Sequence, residues 1–303
     1  MSYLFLVLSV LGIGVYFSIM NAFQKGSKQN MVVSFTFACI YSITAVLILL
    51  LLSFFGVFNV ELSLFAIILS ALNATCFLIT TVIGIKVLSL GSIALYTVFM
   101  MLGGMIVPFF FGIVLFNEPY NAWKFIAVAL MTVALFLTVD DAKIKGGKKN
   151  VVKFFIYSFL VFFANGGTAV FATIHQKEQY AHLAVTSYQF ALNEYFFTFL
   201  FSVIVVLIYF IRNKNDVKEN VSLVVSKKNI AFPLVYAGVH AFANIMLLLA
   251  LTGLPASVQF PVITGGTIFL TTILGKFLFK DKTTVKTWIG VGIIIVATLL
   301  FVI

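Results

Sequence analysis

The chain has 303 residues, of which 62% are hydrophobic and 9% charged, with a net charge of +10 and a mean hydropathy of +1.17. Soluble domains carry about 45–50% apolar and about 25% charged residues, so no water-soluble core accounts for this composition. Apolar runs that continue for about 20 residues can satisfy their backbone polar groups only as helices, which also excludes a transmembrane barrel, whose strands alternate over about ten residues.

In chain order, polar breaks separate ten apolar runs, near 3–23, 31–54, 62–86, 92–116, 121–139, 151–174, 183–211, 229–251, 255–279 and 284–303. The first has no basic stretch ahead of it and no small-residue cleavage pattern after it, so it is expected to remain as a helix. Cys39 and Cys76 fall inside apolar runs without disulfide or zinc spacing and are read as small buried hydrophobes. Asn73 in the third run and Asn165 in the sixth supply amide donors and acceptors, either to a cavity or to an interhelical hydrogen bond. Glu118 and Asp281, at the ends of the fourth and ninth runs, are boundary acids expected to cap a helix or pair with a lysine. Phe-rich stretches such as Phe109-Phe110-Phe111 are read as packing or lipid-facing surface rather than an aromatic cage.

Of the 9 acidic residues, Glu194 alone lies deep within a run, the seventh, with Asn193 before it. A carboxylate at that depth is costly unless it faces a wet cavity, meets a cation or takes up a proton. It is therefore either a proton- or cation-responsive group beside a substrate path or a protonated carboxyl bonded to a neighbouring helix. His240 and Asn244 stand one helical turn apart on one face of the eighth run. In the ninth, Gln259-Phe260-Pro261 is followed by Thr264-Gly265-Gly266-Thr267, which reads as a flexible gate or as ordinary close packing. The candidate substrate-binding set is Glu194, Asn193, His240, Asn244, Asn73, Asn165, Tyr96 and Gln259.

The most polar connections are 140–150 and 212–228, and the first divides the runs five and five. Weak internal likeness accompanies that division. Phe23-Gln24-Lys25 matches His175-Gln176-Lys177, and Gly103-Gly104 with Phe116-Asn117-Glu118 matches Gly265-Gly266 with Phe279-Lys280-Asp281. Setting Gly103 against Gly266 pairs Tyr96 with Gln259. An odd number of spans per half turns the second half over in the membrane. The expected fold is an all-α polytopic membrane protein of ten transmembrane helices in two inverted five-helix repeats, 1–148 and 149–303. With ten spans, all but Lys124 and Lys177 of the 19 Lys and Arg residues fall on one side, which is expected to be cytoplasmic, leaving both termini outside.

The stretch from Gly91-Ser92-Ile93-Ala94 through Gly103-Gly104, Pro108 and Phe116-Asn117-Glu118-Pro119, with its second copy from Leu254-Pro255-Ala256-Ser257 through Gly265-Gly266 to Lys280-Asp281, resembles the drug/metabolite transporter superfamily in its ten-helix EamA-type branch. The likeness runs over essentially the whole chain. It implies a secondary transporter with a central cavity between two inverted halves, acting on substrates that range over amino acids, drugs, metabolites, nucleotide sugars and choline-like cations. Many members of that branch carry cytoplasmic termini, opposite to the sense of the charge count.

Rival functions are weaker on the residues. No metal-ligand spacing, paired intramembrane acids or nucleotide motif is visible, so neither an enzyme nor a pump is expected, and no cofactor. No aromatic–basic pattern points to nucleic acid, and the basic excess is read as topology signal and contact with anionic lipid of the bilayer. A channel or a non-transporting sensor or structural protein remains as the alternative. A deep acid without an equally deep Lys or Arg favours a cationic or zwitterionic solute, with proton or cation coupling, in a protein of the plasma membrane.

Overall fold

The structure, a computed structural model, describes residues 1–301 apart from 28–29, 91–92, 138–147, 178–179, 279 and 281–282. Gly91-Ser92, Asp140, Asp141, Glu178, Phe279 and Asp281 therefore lie outside the described residues. The described chain forms eleven helices and no strand: α1 (Ser2–Gly26), α2 (Met31–Phe54), α3 (Leu64–Leu90), α4 (Ile93–Phe116), α5 (Ala122–Leu137), α6 (Lys148–Gln176), α7 (Ser187–Arg212), α8 (Lys214–Val225), α9 (Ala231–Leu251), α10 (Ala256–Leu278) and α11 (Val285–Leu300).

Eight of these are long and apolar enough to cross a membrane, namely α1 to α4, α6, α7, α9 and α10. Large apolar side chains along them, among them Leu47, Leu51, Phe163, Phe196 and Ile208, are exposed on the outside of the bundle. Such a surface has a counterpart only in lipid. The chain is thus an integral, multi-pass membrane protein. The remaining apolar helices, α5 and α11, have 16 residues each. At 1.5 Å per residue their described lengths are about 24 Å, against the roughly 30 Å hydrocarbon core of a bilayer.

Local chemistry places the helix starts. Asn30 caps α2 by accepting from the Val33 N–H at 2.9 Å, Thr186 caps α7 from the Gln189 N–H at 3.2 Å, and Thr284 and Thr287 form a reciprocal capping box at α11. The connection 212–228, expected only as a polar break, contains α8. Asn213 ends α7 and caps α8 through the Asp216 N–H. Val217, Asn220 and Val224, at helical spacing, bury one face against α2 and α7, where Asn30 donates to the Asn220 side chain at 2.8 Å.

The bundle is held by a defined set of helix pairs. α1 packs on α9, α3 on α6 and α7, α4 on α6 and α10, α2 on α7 and α9, α1 on α10, and α5 on α11. Two large apolar clusters follow, one centred on α1, α2, α7 and α9, the other on α4, α5, α10 and α11, with a small third one between α3 and α6. Among the described glycines the tightest packing is at Gly103 of α4, where a Cβ would collide with the backbone of Phe162 in α6. Only glycine fits there, which gives the Gly103-Gly104 pair a packing role.

Candidate functional site: a buried carboxylate and a ring of tyrosines

Glu194 belongs to the buried face of α7, two turns inside the helix start. Each oxygen accepts a side-chain amide from another helix: Asn73 Nδ2 of α3 donates to Oε1 at 2.6 Å, and Asn244 Nδ2 of α9 donates to Oε2 at 2.9 Å. Asn73 also donates to the Thr168 carbonyl of α6 at 3.2 Å. The three residues lie seven to nine positions, or about 10–14 Å, inside the ends of their helices. That depth is within the apolar slab of a bilayer. Glu194 is 8% exposed, and no cation pairs with it among the described residues.

Tyr195, the next residue, carries the site deeper. Its hydroxyl bonds His240 Nδ1 at 2.7 Å. Around the His240 ring stand Tyr16 of α1 at 4.7 Å, Tyr236 of α9 at 5.2 Å and Tyr41 of α2 at 5.6 Å between centroids. Tyr16, His240 and Asn244, with Ile13, Ala243 and Leu247, line a cavity of about 40 Å³ between α1 and α9. One water needs roughly 10–15 Å³ on this measure, so the space takes water but no metabolite.

The expected site residues therefore divide. Glu194, Asn73, Asn244 and, through Tyr195, His240 are brought together. Asn193 faces elsewhere and accepts the Gln189 amide of its own helix at 2.8 Å. Asn165 donates to the Met100 carbonyl at 2.8 Å, tying α6 to α4 beside Gly104. Tyr96 lies against Gly84, in a separate cluster with Val87, Phe154 and Val161. Gln259 is fully buried and donates to the carbonyl of Leu247 on the cavity wall at 2.8 Å, while its Oε1 has no partner.

Sequence reasoning missed the tyrosines. Tyr236, His240 and Asn244 recur every fourth residue, a polar stripe along one face that was legible beyond the His–Asn pair. Tyr16 and Tyr41 gave no such signal among the 11 tyrosines.

At one membrane face, Glu118 is buried in the α4–α5 connection. It accepts from the backbone N–H groups of Ala256 at 3.0 Å and Ser257 at 2.8 Å and forms an ion pair with Lys177. Burial alone pushes its carboxyl up, but the Lys177 ammonium and the two N–H donors outweigh it and hold the group below the usual carboxylate range. The boundary acid thus both caps a helix and pairs with a lysine. The helix is α10 rather than the adjacent α5, and the lysine comes from the α6–α7 connection.

No family model and no curated protein matches the sequence. The fold does have counterparts: 28 solved chains match it, and one crystal structure of a protein superposes with a TM-score of 0.72 over 99% of this chain and 95% of its own, at 9% sequence identity. At that identity the likeness speaks for the architecture alone.

Proposed function

We propose that the chain is a secondary transporter, EamA-like in its ten spans and two inverted halves, that moves a small cationic or zwitterionic solute across the plasma membrane by alternating access, with proton or cation binding at Glu194. The observation that carries the reading is the buried carboxylate held by one amide from each half, Asn73 and Asn244, beside a cavity and without a cationic partner among the described residues. Charge left there is costly, and a proton, a metal cation or a cationic ligand each relieves the cost. Competition among them for one site is the basis of coupled transport.

The inverted repeat draws support from how helices pair. If α6, α7, α9, α10 and α11 repeat α1 to α5, the contact of α1 with α9 has its mate in that of α6 with α3. Likewise α4 on α6 answers α10 on α1, and α3 on α7 answers α9 on α2, while α2–α7, α4–α10 and α5–α11 pair each helix with its own counterpart. A two-fold axis between the halves generates that pattern, and five spans per half would put that axis in the membrane plane. Asn117 and Lys280, equivalent when Gly103 is set against Gly266, are the non-glycine residues with left-handed backbone among the described residues, at φ 49° and 54°. Such backbone is uncommon outside glycine, so its recurrence at matched helix ends is consistent with duplication.

The test is flux into proteoliposomes across a panel of organic cations, zwitterionic amino acids and anions, with and without an imposed proton gradient. Saturable, gradient-driven uptake of a cation or zwitterion, accelerated by substrate on the far side, is expected. Conductance without exchange would make the protein a channel, and anion selectivity would remove Glu194 from the substrate path.

A further inference from the structure

Glu118 and Lys177 do more than finish helices, because the segments they join come from different halves of the chain. The α4–α5 connection supplies the acid, the α6–α7 connection supplies the ammonium, and the start of α10 supplies two backbone N–H groups that donate to the acid. The contact is built tightly on every side. Asn117 takes left-handed backbone at φ 49°, turning the chain so that Glu118 points inward. Gly112 leaves no room for a Cβ beside the carboxylate. The Lys177 ammonium also lies 5.0 Å over the Phe116 ring.

A continuous chain of contacts runs from this clasp to the cavity. One turn beyond Ala256 and Ser257, the Gln259 amide donates to the carbonyl of Leu247, whose residue forms part of the cavity wall. α10 packs in turn on α1 and α9, the two helices whose residues line the cavity. The first turn of α10 is therefore a bolt, held at its outer end by Glu118 and at its inner end by the Gln259–Leu247 bond.

We propose that the Glu118–Lys177–α10 clasp is the latch of the gate on its own membrane face: engaged, it holds the first turn of α10 against the wall of the cavity, and its release lets α10 and α9 move and admits solute. Glu118 and Lys177 are thus positioning residues of the transport cycle that touch no substrate. The inference rests on the alternating-access reading, but its test does not depend on transport.

The experiment uses the full chain with Cys39 and Cys76 replaced by alanine and a single reporter, Leu247→Cys, in sealed vesicles of both orientations. A parallel Tyr120→Cys protein, labelled in the same exposed connection as Glu118, identifies which face carries the clasp. An impermeant thiol reagent added to that face should modify Cys at 247 slowly in the parent. Glu118→Gln and Lys177→Met should each raise the rate about tenfold, the change in an opening equilibrium that loss of one charge-assisted hydrogen bond gives. The double variant should be no faster than the quicker single one, because both break one unit. Lys177 is partly exposed and its loss leaves the α10 cap in place, so Lys177→Met decides the matter if Glu118→Gln does not fold. Unchanged labelling in Lys177→Met, or an equal rise from the opposite face, overturns the latch. A latch that responds in a protein showing no flux leaves the gate standing and removes the transporter reading.

Discussion

Glu194 accepts hydrogen bonds on both oxygens from amide N–H₂ groups, and that arrangement serves an ionised carboxylate better than a protonated one, whose own hydrogen needs an acceptor. An amide that turns over supplies such an acceptor, so Asn73 or Asn244 can follow the charge of the acid. Glu194→Gln keeps the shape and removes the charge. It is expected to fold and reach the membrane at parental levels, and to lose the response of flux to an imposed proton gradient. Parental flux with a parental gradient response would reduce Glu194 to a hydrogen-bonding group. Asn244→Ala tests the second role: with its amide shared between Glu194 and the cavity wall, its loss is expected to raise apparent KM about tenfold while flux still responds to the gradient, because Glu194 keeps its ionisable carboxyl, measured in liposomes at matched incorporation. Interhelical hydrogen bonds in membranes average only about 0.6 kcal/mol, so expression is expected to survive.

At the scale of elements, the clasp carries a pH signature of its own. Glu118 sits below the usual carboxylate range in the folded protein, so it binds its proton less readily than in the unfolded chain. Its contribution is present above the unfolded value, about 4.3, and is lost as pH falls through the folded one. Thermal unfolding in detergent should therefore show Glu118→Gln less stable than the parent by about 1–3 kcal/mol at pH 7, with the gap closing only below pH of about 4. A gap that closes near neutrality would assign the transition to another group. α8 belongs to the same scale: its buried face, Val217, Asn220 and Val224, straps the ends of α2 and α7, and its other face leaves Lys214 and Lys218 exposed.

For the whole molecule, topology is the open geometrical quantity, and charge gives the prediction. If the side rich in Lys and Arg is cytoplasmic, cysteines placed in α8 at exposed Lys218 should resist impermeant reagents in intact cells, and Cys at Tyr120 should react. The opposite labelling would turn the protein over and place the clasp at the inner face. The helix pairing is unaffected by that result, because contacts between helices do not depend on which side of the membrane each end of the bundle faces.

Membrane insertion, the helical class and nearly every helix boundary were legible in the chain, because continuous apolar runs have one low-cost backbone solution in lipid and polar breaks mark its ends. The depth of Glu194 was legible for the same reason. α8 was not, since its three buried contacts are too sparse to stand out in a polar connection. Nor were the partners of any polar residue. Asn73, Glu194 and Asn244 stand on three helices far apart in sequence, while Asn193, beside Glu194 in the chain, turns away to Gln189. Glu118 shows the limit most plainly. Its place at a helix end is local information, but its binding of α10 and Lys177, each reached only across the bundle, is decided by packing. Sequence by itself determined the solvent each segment requires, a property of single residues summed along a run. Only the tertiary structure decided which polar groups meet, because that depends on the rotation and approach of whole helices, set at contacts such as Gly103 against Phe162.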